Sequence, residues 1–106
     1  MLGGEVVARL STFEGPADAI ERMRQDFDRL GDELREINGF EDGYLLVDRD
    51  TGRVVTFTLW DNRAALEAST EKANEMRERV ASAAQYEIKT VDSYEIALRV
   101  GPLTDS

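Results

Sequence analysis

The sequence predicts an α+β fold, and three observations carry that prediction. Apolar residues at Ile20, Met23, Phe27, Leu30, Leu34 and Ile37 recur in steps of three and four, which draws one stripe along a helix. Residues 43–49 (GYLLVDR) and 53–60 (RVVTFTLW) are rich in β-formers and flank Asp50-Thr51-Gly52, the signature of a β-hairpin. A strand-like segment precedes the helix, and a second helix and a last strand follow the hairpin. The resulting order, βαββαβ, is the ferredoxin-like arrangement: an antiparallel sheet with both helices on one face.

The first strand covers residues 5–12 (EVVARLST) and is closed by Glu14-Gly15-Pro16. Pro16 suits the first turn of a helix, where its missing N–H costs nothing. That helix spans about 20 residues, roughly 30 Å, and leaves Glu21, Arg24, Asp28, Asp32, Glu33 and Arg35 to water. Gly31 weakens its interior and suggests close backbone approach, while Asn38-Gly39 supplies the stop. In the hairpin, a type I turn followed by Gly52 in the left-handed region gives a three-residue loop. The pairs are then Arg49 with Arg53, Val47 with Val55, and Leu45 with Phe57. Asp61 or Asn62 caps a second helix ending near Ala84, whose narrower stripe is Leu66, Ser69, Ala73, Met76, Val80 and Ala83. The last strand alternates at Tyr86, Ile88, Thr90, Tyr94, Ile96, Leu98 and Val100; Asp92 interrupts it, so it is one long strand or two collinear pieces. Residues 101–106 are expected to fray. With no linker or repeat, residues 1–106 read as a single domain.

Composition narrows the function. Among 106 residues, 22 Asp and Glu against 13 Lys and Arg leave a net charge of −9, which gives nucleic acid no electrostatic reason to bind. The chain has no cysteine or histidine. That removes the usual zinc, haem and iron–sulfur ligand sets, disulfides, and Ser-His or Cys-His nucleophiles, and no metal site is expected. No apolar run approaches the roughly 20 residues that span a bilayer, and MLGGEVVARL lacks the regions of a signal peptide, so a cytoplasmic location and no membrane partner are expected. Carboxylate pairs such as Glu71 with Glu75 and Glu75 with Glu78 read as a wet helix face. No phosphate-binding loop, dinucleotide fingerprint or nucleophile elbow is present, and Gly3-Gly4 precedes a strand.

The strands point to a partner. An antiparallel sheet with one wet face alternates apolar and polar residues, yet Val6-Val7-Ala8, Tyr44-Leu45-Leu46-Val47 and residues 54–59 are apolar on both parities. Two helices cover one face, so the other is expected to pack against a second copy in a homodimer.

Leu45-Leu46-Val47-Asp48-Arg49-Asp50-Thr51-Gly52-Arg53, then Thr58-Leu59-Trp60-Asp61-Asn62 and Ala64-Ala65-Leu66, resemble the antibiotic biosynthesis monooxygenase-like family of dimeric α+β barrels. Where that family has Gly-Phe-x-Gly, this chain has Gly39-Phe40-Glu41-Asp42-Gly43, with the second glycine one position later. The haem-degrading branch needs an asparagine where Ala8 stands and a histidine on the second helix. Here Arg77 and Arg79 occupy that neighbourhood, which argues against haem degradation. The cofactorless, quinone-forming oxygenases use a pocket between helices and sheet in which an aromatic substrate is deprotonated and meets oxygen.

The resemblance places Trp60 on the helix side, and the register above puts Tyr44, Leu46, Asp48, Val54, Thr56 and Thr58 on that same face. Tyr44, Thr56, Thr58 and Trp60 are therefore the candidate ligand-binding residues: Trp60 to stack on a ring, the hydroxyls to orient it, and Tyr44 as the candidate catalytic group. The plainer reading makes Trp60 and Tyr44 core and the threonines β-formers. Arg9, by parity with Val7 and Ser11, is expected on the opposite face, in the dimer, paired with a carboxylate; the functional reading would make it an anion anchor. Met23 and Met76 read as core that lets a pocket adapt. The resemblance implies a small aromatic or polyketide-like ligand, with no cofactor held by the chain. The alternative is a non-enzymatic, ligand-binding or accessory dimer of the same fold.

Overall fold

The computed structural model describes residues 6–101. In chain order the elements are β1 (Val7–Glu14), a 3₁₀ turn (Ala17–Ala19), α1 (Ile20–Arg35), β2 (Phe40–Val47), β3 (Val54–Trp60), α2 (Arg63–Ala68), α3 (Thr70–Ala84) and β4 (Glu87–Glu95). All strand pairs are antiparallel and the sheet order is β2-β3-β1-β4, as in the ferredoxin-like arrangement. Glu5, Gly3-Gly4 and residues 102–106 of the frayed-tail expectation lie outside the described residues.

The α1 stripe forms as its spacing requires, with Ile20, Met23, Leu30 and Leu34 buried against Phe13, Val54, Met76 and Val80. Pro16 opens a 3₁₀ turn instead of the helix proper, and Gly39 closes the connection to β2 at a φ of 86°. Gly31 does not serve close backbone approach: a Cβ there would meet only the Arg35 guanidinium, at 3.4 Å. Asn62 caps α2, its Oδ1 accepting from Ala65 N at 2.8 Å. The second helix is divided at Ser69, and its buried stripe runs through Ala81 and Ala84 while Ala83 is exposed. β4 stops at Glu95; Ile96 N still donates to Val6 O, but Leu98 and Val100 are exposed and lie outside the strand.

The hairpin register differs from expectation by one residue. Asp48 N donates to Arg53 O and Gly52 N to Asp48 O, so the loop is 49–52 and the pairs are Val47 with Val54, Leu45 with Thr56, and Tyr44 with Phe57. Asp48 is the cause. Its Oδ1 accepts from Asp50 N at 3.0 Å and Thr51 N at 3.3 Å, so the turn starts at Asp48 and absorbs Arg49. Gly52 has the expected left-handed φ, 85°, and a Cβ there would lie 2.2 Å from Gly15 O. Because side chains alternate across a strand, the one-residue slip moves Tyr44, Leu45, Leu46 and Val47 each to the face opposite the expected one. At the start of β2 the pairing steps from Phe40–Trp60 to Asp42–Leu59, so Glu41, the residue that displaces the second glycine, is taken up as a β-bulge.

Candidate functional site

On the helix side of the sheet, β1 presents Val7, Arg9, Ser11 and Phe13, and β3 presents Val54, Thr56, Thr58 and Trp60, matched across the ladder as Arg9 with Thr58 and Ser11 with Thr56. α1 and α3 close over these residues. Between the layers lies a cavity of about 50 Å³, walled mainly by apolar side chains that include Met23, Phe27, Leu45 and Met76. Its polar groups are Arg9, Ser11, Thr56, Thr58, the Trp60 N–H and Arg77. Among the described residues the lining holds no carboxylate and no tyrosine.

Trp60 is fully buried. Its Nε1 donates to Thr58 Oγ1 at 3.0 Å, and its ring meets Phe40 edge to face, with centroids 5.4 Å apart. These two contacts fix the indole and leave its other surface to Arg9, whose guanidinium carbon lies 5.7 Å from the ring centroid.

Of the candidates named from the sequence, Thr56, Thr58 and Trp60 meet at this cavity and Tyr44 does not. Following the register slip, Tyr44 lies on the open face, stacked on Phe57 at 5.9 Å, with its hydroxyl donating to Asp42 Oδ2 at 2.9 Å. The hydrogen bond to Asp42 and its charge raise the Tyr44 phenol above its ordinary range, which disfavours the phenolate that a general base would need. Leu45 takes its place in the lining.

Arg9 is the second correction. It shares parity with Val7 and Ser11 as read, but that parity faces the helices, and Ala8 turns to the open face. Arg9 has no carboxylate partner among the described residues. Its Nη1 donates to Ser69 Oγ at 3.1 Å and its Nη2 to Leu66 O at 2.9 Å and Thr70 Oγ1 at 3.3 Å. All three acceptors are neutral and sit at the α2–α3 junction. Burial first, and then repulsion from Arg77, push the Arg9 guanidinium down to about 10. Burial also lowers Arg77, offset in part by Glu78. The signal for Arg77 was its place one turn from Ala73 and Val80, at the margin of the α3 stripe.

The family model for antibiotic biosynthesis monooxygenases matches residues 6–74. Among solved structures, a Deinococcus radiodurans protein provisionally described as an antibiotic biosynthesis monooxygenase has a TM-score of 0.70 at 16% identity, covering 92% of this chain and 99% of that one. A haem-degrading protein from Mycobacterium tuberculosis has a TM-score of 0.64 at 18% identity, over 93% and 99%. A cofactor-independent oxygenase from Streptomyces nogalater has a TM-score of 0.63 at 17% identity, over 95% and 100%. No curated protein matches the sequence. At these identities the likeness concerns the fold.

Proposed function

Because this chain belongs to the antibiotic biosynthesis monooxygenase family, we propose that it is a homodimer that binds a small aromatic, polyketide-like molecule between sheet and helices and oxidises it without a cofactor. The observation that carries this reading is the cavity itself: apolar walls, an immobilised indole, and the hydroxyls of Thr56 and Thr58 on one strand. A planar ring would stack along Trp60 while Thr56 and Ser11 orient its oxygen atoms. In the reaction a ring C–H of a phenol becomes C=O; one atom of dioxygen enters the product and the other leaves as water, so no external reductant is consumed. With no histidine in the chain and, among the described residues, no carboxylate or tyrosine in the lining, the reading calls for a substrate acidic enough to ionise without a strong protein base.

At about 50 Å³ the cavity has room for little more than a few waters, so an aromatic ligand must displace side chains. Met23 and Met76, unbranched and in the wall, are the ones able to change rotamer at low cost. The narrow cavity and missing base favour one other reading, a ligand-binding module without turnover.

Both readings are separated by titrating polycyclic hydroxyaromatics while Trp60 emission and dissolved oxygen are recorded together. Saturable quenching with oxygen loss, slowed in Thr58→Val and Trp60→Phe, is the expected result. Quenching without oxygen loss assigns the binding module, and a folded protein that responds to none of them removes the cavity as a ligand site.

A further inference from the structure

Resting on the reading of the cavity as an aromatic-ligand site, we propose that its ligand arrives already charged, as a planar aromatic carboxylate, and that Arg9 and Arg77 hold that carboxylate at the cationic end of the cavity.

The cations of this chain differ in where they find their counter-charges. Along α1, Arg22 and Arg29 share Asp26, Arg24 and Arg49 share Glu21, and Arg35 meets Asp32; across to α3, Arg79 and Lys72 meet Glu33. Those side chains are solvated and gain little from pairing. Arg9 is 6% exposed, Arg77 is half-buried, and neither has a carboxylate within 4.0 Å among the described residues. Arg53, Arg63 and Arg99 also lack one but stand in water. The two cations that most need a counter-charge, because they are withdrawn from water, are thus among those without one, in a chain whose net charge is −9. Both line the same cavity, and they act unfavourably on each other.

Neutral acceptors anchor Arg9 without discharging it. Ser69, Leu66 O and Thr70 fix the guanidinium at the α2–α3 junction, and the Trp60 ring supplies a weak π-face compensation. A carboxylate has two coplanar acceptor oxygens, the geometry that guanidinium forks match, and its −1 charge relieves the repulsion between the two arginines. The ring attached to it then continues into the apolar part of the cavity, against Trp60.

The test is calorimetric titration of the protein with 2-naphthoate and with its neutral isostere 2-naphthamide, repeated in Arg77→Gln and Arg9→Lys. The expected result is that wild type binds naphthoate about tenfold or more tightly than naphthamide. Arg77→Gln should lose most of that preference, its naphthoate affinity falling several-fold more than its naphthamide affinity. Arg77→Gln is the primary variant because its side chain is half-buried and its hydrogen bond runs to Asn74 on the same helix, and circular dichroism checks that the variant is folded; Arg9→Lys keeps the charge and removes the fork. If naphthamide binds as tightly as naphthoate, the charge inference is overturned while the aromatic-ligand reading stands. A naphthoate preference that persists in both variants also overturns it, since the charge is then read elsewhere. If a folded protein binds neither probe, the aromatic-ligand reading fails and the inference fails with it.

Discussion

Asp48 Oδ1 takes hydrogen bonds from two successive backbone N–H groups, Asp50 and Thr51, and by starting the turn there it determines which β2 side chains face the cavity. Those donors hold its carboxyl below the ordinary range. A group whose folded-state pKa is depressed contributes stability that is present above its unfolded pKa and lost as pH falls through the folded value. Asp48→Ala is therefore expected to lower the unfolding temperature by a few degrees at neutral pH, and Asp48→Asn, which retains the acceptor, by less. The gap between wild type and Asp48→Ala should close below about pH 4, as followed by circular dichroism melts. The hairpin, its left-handed Gly52 and the strand types were legible in the sequence, because turn punctuation and β-formers are local signals. Loop length was not legible: three and four residues suit the same letters, and an aspartate side chain chooses between them. Parity likewise put Arg9 with Val7 and Ser11, but a strand read alone does not say which of its faces the helices cover.

At the scale of elements, α1 was the most legible part of the molecule because its stripe is wide and regular, and the structure buries that stripe against β1, β3 and α3. Gly31 is a flaw within it without a packing reason. The nearest atoms that a Cβ added there would meet belong to the end of a flexible arginine, at 3.4 Å. Gly31→Ala is thus expected to raise stability by about 0.5–1 kcal/mol, measured by urea denaturation, with no change in ligand affinity. An unchanged or lower midpoint would mean that the approach of Arg35 is tighter than ordinary contact. The break between α2 and α3 was hidden from the sequence stripe, since Leu66, Ser69 and Ala73 continue one spacing through it. It is stabilised from outside the helix: Ser69 Oγ donates to Leu66 O, and Arg9 reaches the same carbonyl from β1. Widening the cavity from α3 tests its role in ligand entry. Met76→Ala should bind bulkier aromatics more tightly while costing about 2–5 kcal/mol of stability, read by calorimetry and denaturation of the same variant.

For the molecule as a whole, the decisive surface is the sheet face that the helices leave open. It carries Tyr44, Leu46 and Tyr94, about half exposed, around the partly buried Leu10, Val55, Phe57 and Leu59. This is the apolarity on both strand parities that the sequence displayed, and it supports the proposed face-to-face dimer. Light scattering is expected to give twice the 11.9 kDa chain mass for wild type. Tyr44→Asp combined with Leu46→Asp should give the monomer with its circular dichroism spectrum retained. A wild-type protein monomeric at micromolar concentration would sink the dimer. The helix-side site was less legible than the open face, because which polar side chains converge on a cavity depends on register and on helix placement together.

The strand order β2-β3-β1-β4 places the first strand in the middle of the sheet and gives it the last strand as one neighbour. The Thr12–Thr90 hydroxyl contact, at 2.6 Å, joins residues 78 positions apart. During synthesis, the hairpin and α1 can form as soon as they are made, whereas β1 keeps one unpaired edge until β4 has left the ribosome. Until then the nascent chain carries an open strand edge beside an uncovered apolar face, the state in which it is most exposed to mispairing.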